Sequence, residues 1–235
     1  MSSIELTKKH GRIHFVAMSE MQTISLGDGY ATSILYRDEL MLIAVKPSGL
    51  PVHETKDSKR PDFTRMLEKS LNISHLRCAN RLDLMTTGIV VFGLDPGRNL
   101  ELDELLKKSK KFYLVVTEGI IDESEFKIES FLKDGKGRAH TVRSGGKKAI
   151  TRFKVLKRFP DSTRTLLEAE LVTGRRHQIR VHLAEKGFSI VGDSVYGKIT
   201  SRQKKMYLHA WKIVLPEEYS IKEIISKPEW MKSYS

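Results

Sequence analysis

The 235-residue chain has a single cysteine, Cys78, and its first residues hold no apolar stretch of the length a signal peptide or membrane span needs. One cysteine excludes an internal disulfide and leaves no zinc ribbon. The expected setting is therefore the cytoplasm. Nucleotide-binding signatures are also missing. GKGRAH lacks the third glycine and the preceding strand of a dinucleotide fingerprint. GDSVYGKI (192–199) follows a phosphate loop as far as Lys198 but has Ile199 where a magnesium-binding hydroxyl is required, and reads as a Gly-bounded turn. His177 and His182 are five apart and so do not share a helix face as an HExxH zinc pair does. His10, His14, His53 and His75 have no metal-ligand spacing, and no metal site is expected. There is no internal repeat and no low-complexity tract.

What the chain does have is positive charge: 41 Lys+Arg against 29 Asp+Glu, a formal net charge of +12. Such a surplus attracts polyanions over long range and binds them with salt-dependent strength. The basic residues are spread along the chain rather than gathered on one amphipathic helix, which favours nucleic acid over a membrane surface. An apolar fraction of 40% suffices for a real core.

Residues 33–54 read as two short apolar strands around a charged turn at Arg37, Asp38 and Glu39, followed by a rigid turn after Lys46 set by Pro47, Gly49 and Pro51. A polar helix is predicted over 62–71, a buried strand over 88–94, an amphipathic helix over 98–108 and a strand over 111–119. Alternation of Ala149, Thr151, Phe153 and Val155 against Arg152, Lys154 and Arg158 predicts a half-buried strand with a basic outer face. A turn at Pro160 and Asp161 leads to a strand over 165–172, and TGRRHQIRVHLAEKG (173–187) reads as a helix ended by Gly187. Connections too short for parallel crossovers point to an α/β (α+β) domain around a mixed or largely antiparallel sheet. The first 30 residues and the last 15 or so are weakly patterned.

Two features stand out chemically. The last helix, read as starting near Arg175, would carry Arg175 and Arg176 in its opening turn and Arg180 a turn later, against the helix dipole. Spaced i and i+4, Arg176 and Arg180 would share a face. A solvated basic face is the plain reading; a bound carboxylate or phosphate is the functional one. The second feature is Asp83, set between Leu82 and Leu84 at the entrance of a buried strand. Such an Asp is ordinarily a turn or capping group. Drawn inward by apolar neighbours it needs a cation, and the well-placed one is Arg180.

RLDLMTTG (81–88), KFYLVVTEG (111–119) and TGRRHQIRVHLAEKGFSIVGDSVYG (173–197), in this order, resemble the RluA-type family of RNA pseudouridine synthases. VKPSGLPVH (45–53) is similar to that family's opening motif and LHAW (208–211) to its closing strand, so the likeness covers roughly 34–215. The resemblance implies a bent, mostly antiparallel sheet with flanking helices and a central cleft, and no cofactor or metal. It also assigns roles: Asp83 as the catalytic aspartate, Tyr113 as the residue that stacks on the target base, and Arg180 as the partner of Asp83. Arg81 and Arg176 are expected to help hold the RNA. Asn80 and Thr87 depart from the family's usual His and Ser; Thr87 keeps the hydroxyl, while Asn80 keeps polarity and loses the ring.

The resemblance implies isomerisation of uridine in structured RNA, transfer or ribosomal, and the protein is expected to be a monomer. A non-catalytic RNA-binding or ribosome-assembly factor on the same fold is the alternative, and a phosphotransferase using GDSVYGK is a weaker third. Residues 1–30 are expected to be an N-terminal extension, too short for the S4-type RNA-binding domain that related proteins often carry, with the catalytic domain over 31–235.

Overall fold

Alternating and β-branched segments give a sheet-dominated molecule in the computed structural model, which describes residues 22–54, 60–197 and 205–234. The strands are β1 (Gln22–Gly27), β2 (Tyr30–Arg37), β3 (Met41–Lys46), β4 (Arg77–Cys78), β5 (Thr87–Gly93) and β6 (Lys110–Glu118). They continue with β7 (Glu125–Asp134), β8 (Ala139–Thr141), β9 (Lys147–Phe159), β10 (Arg164–Leu171), β11 (Leu208–Val214) and β12 (Glu223–Ile225). Among the described residues three helices, α1 (Phe63–Leu71), α2 (Asn99–Lys108) and α3 (Gln178–Glu185), complete the regular elements apart from short 3-10 turns. No helix among the described residues is long and apolar enough to cross a membrane.

The strands form one mixed sheet in the order β1-β2-β3-β5-β11-β6-β10-β9-β7-β8, with β4 beside β5 and β12 beside β11. Every pairing among the described residues is antiparallel except β5 with β11, which is parallel and only two residues long, His209 opposite Thr87 and Ala210 opposite Gly88. The fold is thus the expected α+β type with an antiparallel-dominated sheet. Two antiparallel halves meet at this short parallel seam, and the RLDLMTTG segment feeds directly into it. Gly88 makes the seam possible. Its φ of +110° suits glycine, and a Cβ there would collide with the backbone of Ala210.

Local chemistry explains the helix limits. Asp62 caps α1 by accepting from the Arg65 amide at 3.0 Å, and Asn72 closes it in the left-handed region. In α2, Leu102, Leu105 and Leu106 are buried while Lys107 and Lys108 sit in the last turn, where the dipole favours them. The third helix differs from expectation. It begins at Gln178, because His177 adopts a left-handed backbone, φ 55°, and interrupts the helical run. Arg175 and Arg176 therefore precede the helix instead of opening it, and the shared helical face expected of Arg176 and Arg180 does not form. Arg180 alone lies in the first turn.

The sheet also starts earlier than the expected boundary at residue 31: β1 pairs with β2 through partners such as Gln22 with Ile34. Residues 1–21, with His10 and His14, lie outside the described residues. So do Lys198 and Ile199 of the phosphate-loop reading.

Two buried histidines tie the core to pH. His182 contacts the hydroxyls of Thr151 and Ser130 at 2.9 and 3.0 Å, and burial pushes its pKa down to about 4. His209, in β11, is likewise pushed down to about 4 by burial. Since both protonate more readily in the unfolded chain, near pH 6.5, stability is complete above that pH and is lost as pH falls toward 4. Urea unfolding at pH 7.5 and pH 5 should show a clear loss of stability at the lower pH, and His182→Gln should flatten the dependence. Gly88→Ala should cost about 3 kcal/mol or more by the same measurement.

Candidate active site

A cavity of about 890 Å³ opens at the seam between the sheet halves, bordered by the loop ahead of β5, by β6 and by the start of α3. Asp83, Tyr113, Arg180, Arg81, Arg176 and His177 all line it. Residues separated by nearly a hundred positions in the chain are thus gathered at one place.

The loop bearing Asp83 is held from below. Lys46 is fully buried, and its ammonium donates to the carbonyls of Pro47, Leu50 and Leu84 at 2.8, 2.8 and 3.0 Å. Desolvation lowers the Lys46 pKa to about 7, against the opposing pull of the Asp83 charge. The VKPSGLPVH turn is thereby tied to the residue next to Asp83. Of the two flanking leucines, Leu82 is buried and Leu84 is exposed, so one apolar anchor and the Lys46 bond share the task. Asn80 joins in by donating to Ile89 O at 3.3 Å and accepting from Val91 N at 2.7 Å. Its amide stitches the loop to β5, which accounts for the polarity kept at this position. Thr87 is used as well: His209 Nε2 faces the Ser226 carbonyl at 3.1 Å and so carries the proton, leaving Nδ1 to accept from the Thr87 hydroxyl at 2.7 Å.

Arg180 is the centre of the site. Its Nη1 donates to Asp83 Oδ2 at 2.9 Å, while Nε and Nη2 form a fork on Asp193 at 2.7 and 2.8 Å. The two carboxylates answer the cation that the first turn of α3 would otherwise hold against its dipole. Burial alone would lower the Arg180 pKa, but Asp193 and Asp83 outweigh it and raise the value. Asp193 is buried, and its Oδ1 also accepts from the amides of Val195 and Tyr196. Burial pushes the Asp193 carboxyl up, yet Arg180 and these amides pull it further down, below its ordinary range.

GDSVYG, read from sequence as a plain turn, therefore supplies the buttress of the site. Asp193 lies in the third motif, but nothing beyond its place in a Gly-bounded turn marked it out. Gly192 itself sits at φ +80°, against the backbone of Lys205, where no side chain fits.

Tyr113 is buried in β6 and lines the same cavity. Burial, reinforced by the charge of Asp83, raises its phenol above the ordinary tyrosine value. Arg81 is exposed at the rim and pairs with no carboxylate among the described residues. Arg176 spends two donors on Gly135 O and Gly137 O, at 3.4 and 3.2 Å, and so pins the tip of the β7–β8 hairpin beside the cleft. His177 brings Nε2 to 3.8 Å from Asp83 Oδ1 and Nδ1 to 2.9 Å from the Tyr196 hydroxyl. Both His177 and Tyr196 lie in the third motif, but the sequence reading gave neither a role here, having weighed His177 only as a zinc ligand and set it aside. Among the described residues no three His, Cys, Asp or Glu side chains are grouped as a metal would require.

The fold and cleft define an α+β protein with a pocket large enough for a nucleotide and a carboxylate held at its floor by arginine. Residues 40–185 match the family model for RNA pseudouridylate synthase, and the chain belongs to that family, a family of RNA isomerases. It is 33% identical over 219 residues to the RNA pseudouridine synthase YhcT of Bacillus subtilis, covering 88% of this chain and 72% of that one. It is 32% identical to ribosomal large subunit pseudouridine synthase D of Buchnera aphidicola, over 80% of this chain and 61% of that protein. The solved structure of human RNA pseudouridylate synthase domain containing 1 shares the fold, with a TM-score of 0.71 over 92% of this chain and 89% of that one at 23% identity.

Removing the buttress should be costly. Asp193→Asn leaves Arg180 buried with one carboxylate, and loss of one partner of a buried pair costs about 3–5 kcal/mol. Because the folded Asp193 pKa lies below its unfolded value, its contribution is present above about pH 4 and is lost as pH falls through the folded pKa. Chemical denaturation of both proteins should show the gap at pH 7 narrowing in acid.

Proposed function

We propose that this protein is an RNA pseudouridine synthase in which the Asp83 carboxylate reacts with a uridine flipped into the cleft. The observation that carries the proposal is the meeting of Asp83, Arg180 and Tyr113 in one cavity. Making the C-linked isomer means cutting the glycosidic bond, rotating the uracil while it is held, and joining C5 to C1′ of the ribose. A carboxylate supports the first step as nucleophile or base at the sugar, or as nucleophile at the uracil. Arg180 keeps it aimed, and because Asp193 holds the guanidinium at two other nitrogens, the arginine has little freedom to swing away.

A uridine stacked in a helix cannot reach Asp83. Extruding it costs a few kcal/mol, which stacking on Tyr113 partly offsets. Arg81, exposed at the rim, is placed to meet the RNA where the base leaves the stack. Arg176 acts indirectly, by pinning the hairpin tip beside the cleft. The substrate on this reading is structured RNA, transfer or ribosomal, met in the cytoplasm by a monomer, with the +12 charge drawing it in. On this reading the carboxylate chemistry calls for no metal or cofactor.

Tritium release from RNA carrying 5-³H-uridine tests the proposal. Asp83→Asn should reduce release by at least a thousandfold while RNA binding, measured by filter retention, changes little. Wild-type protein that binds RNA tightly and yields no pseudouridine would instead mark an RNA-binding factor on this fold.

A further inference from the structure

Isomerisation leaves one proton to remove. After C5 bonds to C1′, C5 still carries its hydrogen. When that hydrogen leaves as a proton, the C5–H electron pair becomes the C5=C6 double bond, the C6=N1 pair shifts to N1, and N1 takes a proton from water. A base with a free lone pair near neutral pH must lie beside the uracil.

Most titratable groups around the cavity are unsuited. Asp83 is engaged by Arg180 at 2.9 Å and, on the proposed function, by the sugar or ring. The Tyr113 phenol is held in its protonated form by burial and the Asp83 charge. Cys78 donates to Asn80 O, and burial pushes its thiol up to about 11. Lys111 donates to Leu106 O, and Lys46 faces three carbonyls. His53 is exposed at the rim.

His177 differs, and counting hydrogens at Tyr196 shows how. The Tyr196 oxygen lies 2.8 Å from Ala139 N, 2.9 Å from Ala139 O and 2.9 Å from His177 Nδ1. A phenol has one hydrogen. The Ala139 amide must donate to the oxygen, and the Ala139 carbonyl can only accept, so the phenol gives its hydrogen to that carbonyl. The third contact is satisfied when His177 Nδ1 carries the proton. Nε2 is then bare, 3.8 Å from Asp83 Oδ1 on the cavity wall. The left-handed backbone of His177 is an uncommon conformation for a residue with a side chain.

We infer that His177 Nε2 accepts the C5 proton that completes the isomerisation, an assignment that rests on the proposed function. The imidazolium formed would lie beside the Asp83 carboxylate and return its proton to water. The charged and titratable groups facing the ring are Asp83 from the loop ahead of β5, Arg176 just before α3, Arg180 within it, and Asp193 and Tyr196 from the loop that follows. Burial lowers the His177 pKa, and Arg180 and Arg176 act in the same direction against the opposing charges of Asp83 and Asp193. The imidazole is therefore neutral and able to accept at physiological pH.

The test measures pseudouridine formation from RNA carrying uridine or 5-deuterouridine, between about pH 5 and 8. In the wild type, the rate should rise with pH and level off once His177 is neutral, with a larger C5 isotope effect at the acid end. His177→Gln should lose that acid limb, fall by about a hundredfold in kcat with little change in KM, and show a large isotope effect at every pH. Wild-type kcat and isotope effect in a folded His177→Gln protein would overturn the assignment. If the variant does not fold, the wild-type profile decides: a rate and an isotope effect that stay flat with pH would overturn it equally. Wild-type protein forming no pseudouridine would instead remove the proposed function on which the assignment rests.

Discussion

Arg180 bridges two carboxylates, and the organisation of the cleft depends on that bridge. One nitrogen reaches Asp83 and the other two clasp Asp193, a planar fork that a lysine cannot reproduce. Three separate parts of the chain are joined by it: the loop entering β5, the first turn of α3 and the GDSVYG loop. A buried guanidinium with one carboxylate would be poorly compensated, and a buried carboxylate without its cation would be worse. The two buried members, Arg180 and Asp193, are therefore stable only in each other's presence. Their joint position lies at the one parallel pairing in the sheet, where the two antiparallel halves leave a gap for the cleft.

Around the bridge the sequence motifs take on distinct mechanical tasks. The opening motif lends Lys46, whose ammonium fastens the backbone beside Asp83. The TTG end of the second motif gives a hydroxyl to His209 and a glycine to the close approach of β11. The GDSVYG loop holds both side chains that α3 and its approach turn toward Asp83, gripping Arg180 through Asp193 and orienting His177 through Tyr196. Rigid strands and buried polar pairs thus support a carboxylate that is itself partly open to the cavity, which suits the role the proposed function gives it.

Much of this was legible in the sequence. The strands around 88–94, 111–119 and 149–159, the helices at 62–71 and 98–108, and the need of Asp83 for Arg180 followed from periodicity and charge. The start of α3 did not, because the break comes from the backbone of His177, and a histidine inside an amphipathic pattern gives no sign of a left-handed turn. Asp193 was unreadable for a different reason: an Asp after Gly looks like a turn residue until the fold brings it under Arg180. β7 and β8 went unassigned although Phe126, Ile128 and Leu132 recur at even spacing, since interleaved charges on a hairpin with one exposed face weaken the apolar contrast. β1 was lost in the weakly patterned first thirty residues because its partner strand, more than its own composition, makes it a strand.

Replacing Arg180 by lysine tests the bridge most directly, since the charge stays while the fork is lost. Pseudouridine formation by Arg180→Lys, measured at saturating RNA, should fall by at least a hundredfold, with RNA affinity close to that of the wild type. Undiminished activity in that variant would contradict the account, because it would mean that a point charge is enough and that the clasp between Asp83 and Asp193 has no part in the reaction.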